Sequence, residues 1–207
     1  MVAIAGPEAA ERLQSTQEAR RAQVLDAARI CFAHSGFRGA SMQEICAEAR
    51  MSPGALYRYF PSKEAIIEAI AEDERCDAAA LVETMRGTAP LLDRVTSCSL
   101  GYFAFMREHG ASSLMAEIGA ESLRNTAIGQ RFAHIDNKVR DTIREIFEEA
   151  IARGEIPPID DMNATIGMTM AAVDGIALRQ ISDPELTLAR IEPVLRRMLA
   201  GVLQITV

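Results

Sequence analysis

Between Ser41 and Lys63 the chain signals a helix start three times, so this stretch can fold only as a tight stack of short helices. Ser41-Met42-Gln43-Glu44 has the Ser-x-x-Glu form. In that form the serine oxygen accepts from a backbone N–H of the first turn, while the glutamate reaches back to the serine N–H. A short helix follows with Ile45, Cys46 and Ala49 facing inward. Ser52-Pro53 then supplies an N-cap with proline at the first helical position, where its missing N–H costs nothing. This helix must end by Phe60, because Pro61 disfavours helical geometry in the residue before it. Ser62 caps another, running through Ile66, Ile67 and Ile70 toward Leu81.

The rest of the chain keeps the helical period. Ser15-Thr16-Gln17-Glu18 repeats the capping box and opens a first helix with an apolar stripe of Val24, Ala27, Ala28, Cys31 and Phe32. Gly36 is its expected left-handed stop, and residues 1–14 are expected as a flexible arm. Beyond Pro90 the spacing predicts a helix to His109, a shorter one near Ile118, and one from Thr126 to Arg153 stopped by Gly154. Two more cover about Met162 to Ile181 and Leu186 to Leu203, with Pro193 expected to kink or restart the last. No run of alternating β-branched residues is bounded by hairpin turns. The expected fold is all-α with about nine helices: a three-helix head over residues 15–70 and a larger helical domain over 71–207.

A hydrophobic share of 49% excludes disorder. The longest uncharged stretches, Val95–Met106 and Met162–Val173, hold 12 residues each, short of the ~20 that cross a bilayer. With no basic leader segment, the cytosol is the expected address. Cys31, Cys46, Cys76 and Cys98 form no C-x-x-C pair and match no zinc spacing, so neither metal nor cofactor is expected. There is no H-E-x-x-H, no G-x-S-x-G, no phosphate loop and no dinucleotide fingerprint, which argues against an enzyme. Charge is divided unevenly. Residues 1–63 carry eight Lys/Arg against six acids, net +2, whereas the whole chain stands at −7. The local balance is the one that matters at a nucleic-acid face.

Two short helices joined by a tight turn have the dimensions of a helix-turn-helix, although any small helical hairpin would show them. The composition of the second helix is more informative. At 100° per residue, Leu56, Tyr59 and Phe60 fall on one side, while Gly54 and Arg58, flanked by Ala55 and Tyr57, fall opposite. Such a face is poorly built for stability, since Gly costs ~1 kcal/mol against Ala in a helix. It suits close approach to base edges, with Arg as a bidentate donor to guanine.

The run from Ser41 to Glu64, with Pro53-Gly54-Ala55-Leu56-Tyr57-Arg58-Tyr59-Phe60-Pro61-Ser62-Lys63 at its heart, resembles the DNA-binding signature of the TetR family of transcriptional repressors. The resemblance implies a three-helix DNA-binding head, a helical ligand domain and a homodimer on a palindromic operator. It assigns Tyr57, Tyr59 and Lys63 to phosphates, and places Pro53, Gly54, Ala55 and Arg58 at base edges. Ser41 and Met42 would lean on the backbone beside Ser52. Many members carry His or Trp where this chain has Tyr59 or Arg58, so operator sequence does not transfer.

For the dimer surface, the last two helices offer stripes of Ile166, Met170, Val173 and Ala177, and of Ile191, Val194, Leu195, Met198, Leu199 and Val202. An ordinary intramolecular core would explain the same stripes. Effector contacts are expected among Phe103, Met106, His109, Met115, Phe132, Met168 and Met170, where flexible thioethers and aromatics concentrate, with Asp174 as a polar anchor. The partners so implied are double-stranded DNA, a small apolar or amphipathic effector and a second copy, without a membrane. A thiol-based redox regulator on the same fold is the alternative, and only Cys76 and Cys98 suit it.

Overall fold

The computed structural model describes residues 7–108, 111–183 and 185–205, with side chains from Thr16 onward except those of residues 74–75, 108, 111–114, 127, 131–132, 135 and 181. These residues form nine α-helices and no strand, so the fold is all-α. They divide into two compact units, one ending at Ile70 and the other beginning at Ala71.

In the first unit α1 spans Pro7–Gly39, broken at Gly36, whose φ of 69° is the expected positive value. Helix α1 starts at Pro7, well before the expected start at Ser15. Pro7 suits the first helical position, and Glu8 to Gln14 are nearly all strong helix formers. Helices α2 (Met42–Glu48) and α3 (Pro53–Tyr59) follow, and α4 (Lys63–Glu83) begins here. Both halves of the Ser41 capping box are present. Helix α2 ends in a Schellman turn: Met51 N–H donates to Cys46 O at 3.0 Å and Arg50 N–H to Ala47 O at 3.1 Å. Arg50 adopts φ 50° there, where glycine is usual. Phe60 is extended, as Pro61 requires. Val24, Ala28, Ile45, Leu56, Ile66 and Ile70 make the core of the unit.

The second unit adds α5 (Leu91–Glu108), α6 (Ala111–Ser122), α7 (Thr126–Ala152), α8 (Met162–Ser182) and α9 (Leu188–Val202). Helix α5 packs against α6, α8 and α9. Gly154 terminates the α7 segment with φ 72°. Helix α9 continues through Pro193 without restarting. The carbonyl that loses its donor is that of Ala189, an exposed residue where water can replace the bond.

Candidate DNA-binding face and ligand cavity

Helix α3 turns Leu56 and Phe60 fully inward and leaves Ser52, Pro53, Gly54, Tyr57 and Arg58 exposed, with Ala55 and Tyr59 half-buried. Tyr57 keeps 50% of its surface. A Cβ added to Gly54 would meet nothing within 4 Å, so packing within the protein does not require glycine there. The Ser52 hydroxyl oxygen accepts from Ala55 N–H at 3.3 Å, fixing the start of the helix. Arg58 Nη2 donates to the Tyr59 hydroxyl at 3.2 Å and its guanidinium lies 5.3 Å from that ring centroid. A tyrosine anchored on the core side therefore aims the arginine. Two contacts were not foreseen in the sequence. Arg21 of α1 stacks 4.6 Å from the Phe60 ring centroid, and Gln23 Nε2 donates to Ala49 O at 2.7 Å.

Two residues expected at phosphates are engaged within the protein. Ser41 donates its hydroxyl proton to Glu44 Oε2 at 2.8 Å while its backbone N–H meets the same oxygen at 2.7 Å. These bonds hold the Glu44 carboxyl below the ordinary glutamate range. Lys63 Nζ donates to Phe37 O, to Ala40 O at 2.7 Å and to Arg38 O at 3.4 Å, and sits 4.7 Å from the Phe37 ring centroid. An ammonium has three protons, and all three point at carbonyls from the end of α1. The last carbonyls of a helix find no N–H within it, and Lys63 supplies what they lack. It is a clamp across the head before it is anything else. Met42 is half-buried at the start of α2.

The second unit contains a cavity of about 310 Å³ between α4, α5, α6, α7 and α8. Of the residues expected at an effector, Met106, Met115, Met170 and Asp174 line it. Phe103 does not: it is fully buried plain core. Met168 does not either, being 68% exposed on the outside of α8. His109 and the Phe132 side chain lie outside the described residues. Leu81, Cys98, Ser99, Asp136 and Thr169 line the cavity without having been singled out for it, because helices distant in sequence bring them together.

The residues expected at a dimer surface divide between core and exterior. Ile166, Ala177, Ile191, Leu195 and Leu199 are packed in the core of the unit itself. Met170 and Val173 face the cavity, and Met198 and Val202 are half-buried. The strongest 3.6-residue periodicity marks the face a helix turns to its own core. Val194, one of the expected dimer residues, is 57% exposed on α9, and a further stripe on α8, Ala164, Met168, Ala171, Gly175 and Leu178, is exposed throughout.

Of the two cysteines expected to suit redox chemistry, Cys98 alone is withdrawn from solvent. Burial pushes the Cys98 thiol up to about 12, and partial burial with Glu48 and Glu44 nearby raises that of Cys31. Cys46 is buried and Cys76 exposed. Among the described residues no group could hold a metal ion, and no helix is long and apolar enough to cross a membrane.

Comparison with known proteins gives the same outline. Residues 24–70 match the model of bacterial regulatory proteins of the tetR family, and residues 92–204 that of the C-terminal domain of BetI-type transcriptional repressors. The HTH-type transcriptional regulator UidR of Escherichia coli is 31% identical over 93% of this chain and 97% of its own. The structure of Salmonella enterica GusR superposes with a TM-score of 0.75 at 30% identity, covering 89% of this chain and 95% of that one. FadR from Bacillus halodurans shares the fold at 16% identity, with a TM-score of 0.78 over 99% of this chain and all of the other.

Proposed function

Since the chain belongs to the TetR family of bacterial transcriptional regulators, we propose that it represses transcription as a homodimer on a palindromic operator and that a small molecule in the cavity weakens this hold. The exposed face of α3 carries the reading. Gly54, Tyr57 and Arg58 stand out from a helix whose opposite side buries Leu56 and Phe60, and nothing in the free protein explains the glycine. Arg58 reads a base edge and Tyr57 meets the backbone, while Tyr59 and Lys63 hold the face in shape. The first unit is the DNA-binding head, and the second senses the effector and pairs the two copies.

One α3 reads too few base pairs to outcompete nonspecific DNA, so pairing is part of the function. The outer stripe of α8 with Val194 supplies an apolar surface for it. The effector acts only through a difference in its affinity for the DNA-competent and incompetent states. Helix α4 holds Lys63 in one part and Leu81 and Val82 of the cavity wall in another, which makes it the element through which occupancy would reach the head. The test is binding of the purified protein to palindromic DNA from its own promoter, with Tyr57→Ala and Arg58→Ala alongside. Both variants should lose operator binding and keep the wild-type melting temperature; undiminished binding would refute the assigned face.

A further inference from the structure

Each of the five segments that bound the cavity brings sulfur or an aromatic ring to its wall. Among the described residues, four of the chain's ten methionines line it: Met85 just past α4, Met106 on α5, Met115 on α6 and Met170 on α8. Cys98 on α5 adds a fifth sulfur. Helix α7, which has no sulfur to offer, brings the fully buried ring of Phe147, and α5 brings Tyr102 and Phe105. Asp174 and Leu178 both line the cavity and are exposed, and therefore form its rim.

A thioether is polarisable and settles at the edge of an aromatic ring, and rings prefer one another offset or edge to face. A saturated body gains only the dispersion that Val95, Val139 and Ile143 on the same wall give to any apolar occupant. We propose, building on the reading of this cavity as the effector site, that its ligand carries an aromatic ring seated among these sulfurs and rings. At ~30 Å³ per water-sized group, the cavity of about 310 Å³ holds about ten non-hydrogen groups, the size of a fused pair of six-membered rings.

Tetralin-2-ol and decalin-2-ol share one carbon frame and one secondary alcohol, and differ only in whether the second ring is aromatic. The hydroxyl therefore meets the polar groups of the wall alike in both. On burial alone the saturated compound, with the larger apolar surface, binds at least as tightly. Calorimetric titration of the full-length protein should instead show tetralin-2-ol binding about tenfold tighter. Met106→Leu with Met170→Leu, swaps of nearly equal volume that keep the core packed, should reduce that preference to about threefold and leave decalin-2-ol binding as before. Gly119→Leu should abolish binding of both, because a Cβ at Gly119, itself on the cavity wall, meets nothing within 4 Å and a larger side chain would fill the space. Equal affinities, a preference for decalin-2-ol, or a preference untouched by the methionine swaps would overturn the aromatic assignment and leave the effector site standing. Methionine-dependent binding of tetralin-2-ol that leaves operator affinity unchanged would sink the effector reading and leave the ligand class standing. Binding of neither compound, or binding insensitive to Gly119→Leu, would overturn the proposal outright.

Discussion

The Arg94 guanidinium meets the Glu155 carboxylate at 2.9 Å across 61 residues of chain, with the arginine side chain only 6% exposed. Its other donors go to Met85 O and Ala89 O, both at 2.6 Å, and Leu91 N–H donates to the same carboxylate at 3.1 Å. One acid thus ties the loop before α5, the start of α5 and the end of α7. Glu155→Gln leaves a buried cation without its counter-charge and should cost about 2 kcal/mol, below the full buried-pair penalty because Glu155 keeps some water contact. Urea unfolding at pH 7 measures it.

The same pair predicts a pH dependence. Partial burial works against ionisation of Glu155, but hydrogen bonds from Arg153 and Arg94 outweigh it and hold the carboxyl below its ordinary value. A depressed folded-state pKa gives stability that is present above the unfolded value of about 4.3 and lost as pH falls through the folded one. Melting temperatures from pH 7 to pH 3 should therefore fall in the acid limb. The fall should be shallower in Glu155→Gln.

Lys63 and Tyr57 should separate stability from binding. Lys63→Met removes the clamp on the end of α1 and should lower the stability of the head by about 2 kcal/mol, with operator binding lost as a consequence. Tyr57→Ala touches a half-exposed ring and should leave the melt unchanged while operator binding falls. Thermal melts read beside mobility shifts distinguish the two.

Glycine swaps on the head should run in opposite directions for stability and function. Gly54→Ala meets open space and should stabilise by about 0.4–1 kcal/mol, yet weaken operator binding about tenfold through crowding at the base edges. Arg50→Gly relieves a left-handed backbone that costs an ordinary residue roughly 1 kcal/mol and should raise the melt. Improved operator binding by Gly54→Ala would speak against close approach at that position.

On α8, Met168→Glu with Ala171→Glu charges the outer stripe and should shift sedimentation velocity profiles to the monomer without loss of helicity. Ile166→Ala should instead cost about 2–5 kcal/mol in stability, as a core truncation does.

The helix boundaries in the head were readable because caps are local: Ser41, Ser52 and Ser62 each bond a backbone N–H three residues on. The same locality explains what was missed. The Lys63 clamp reaches back 23 to 26 residues and the Arg94 pair spans 61, and no spacing rule connects such positions. The stripe of Ile166 and Leu195 was visible, but periodicity reports that a face is buried without saying by what. Met106, Met115 and Met170 were legible as cavity candidates from their softness; Phe103 and Met168, equally apolar, differ from them only by where their helices turn them.

Leu178 belongs at once to the rim of the cavity and to the outer stripe of α8. If two copies meet on that stripe, whatever an occupant gains or loses by their pairing, the pairing gains or loses by the occupant, by the same factor. The concentration of effector needed for a response would then depend on how much of the regulator a cell makes, so that altering its expression would retune the dose–response curve without any change in its residues.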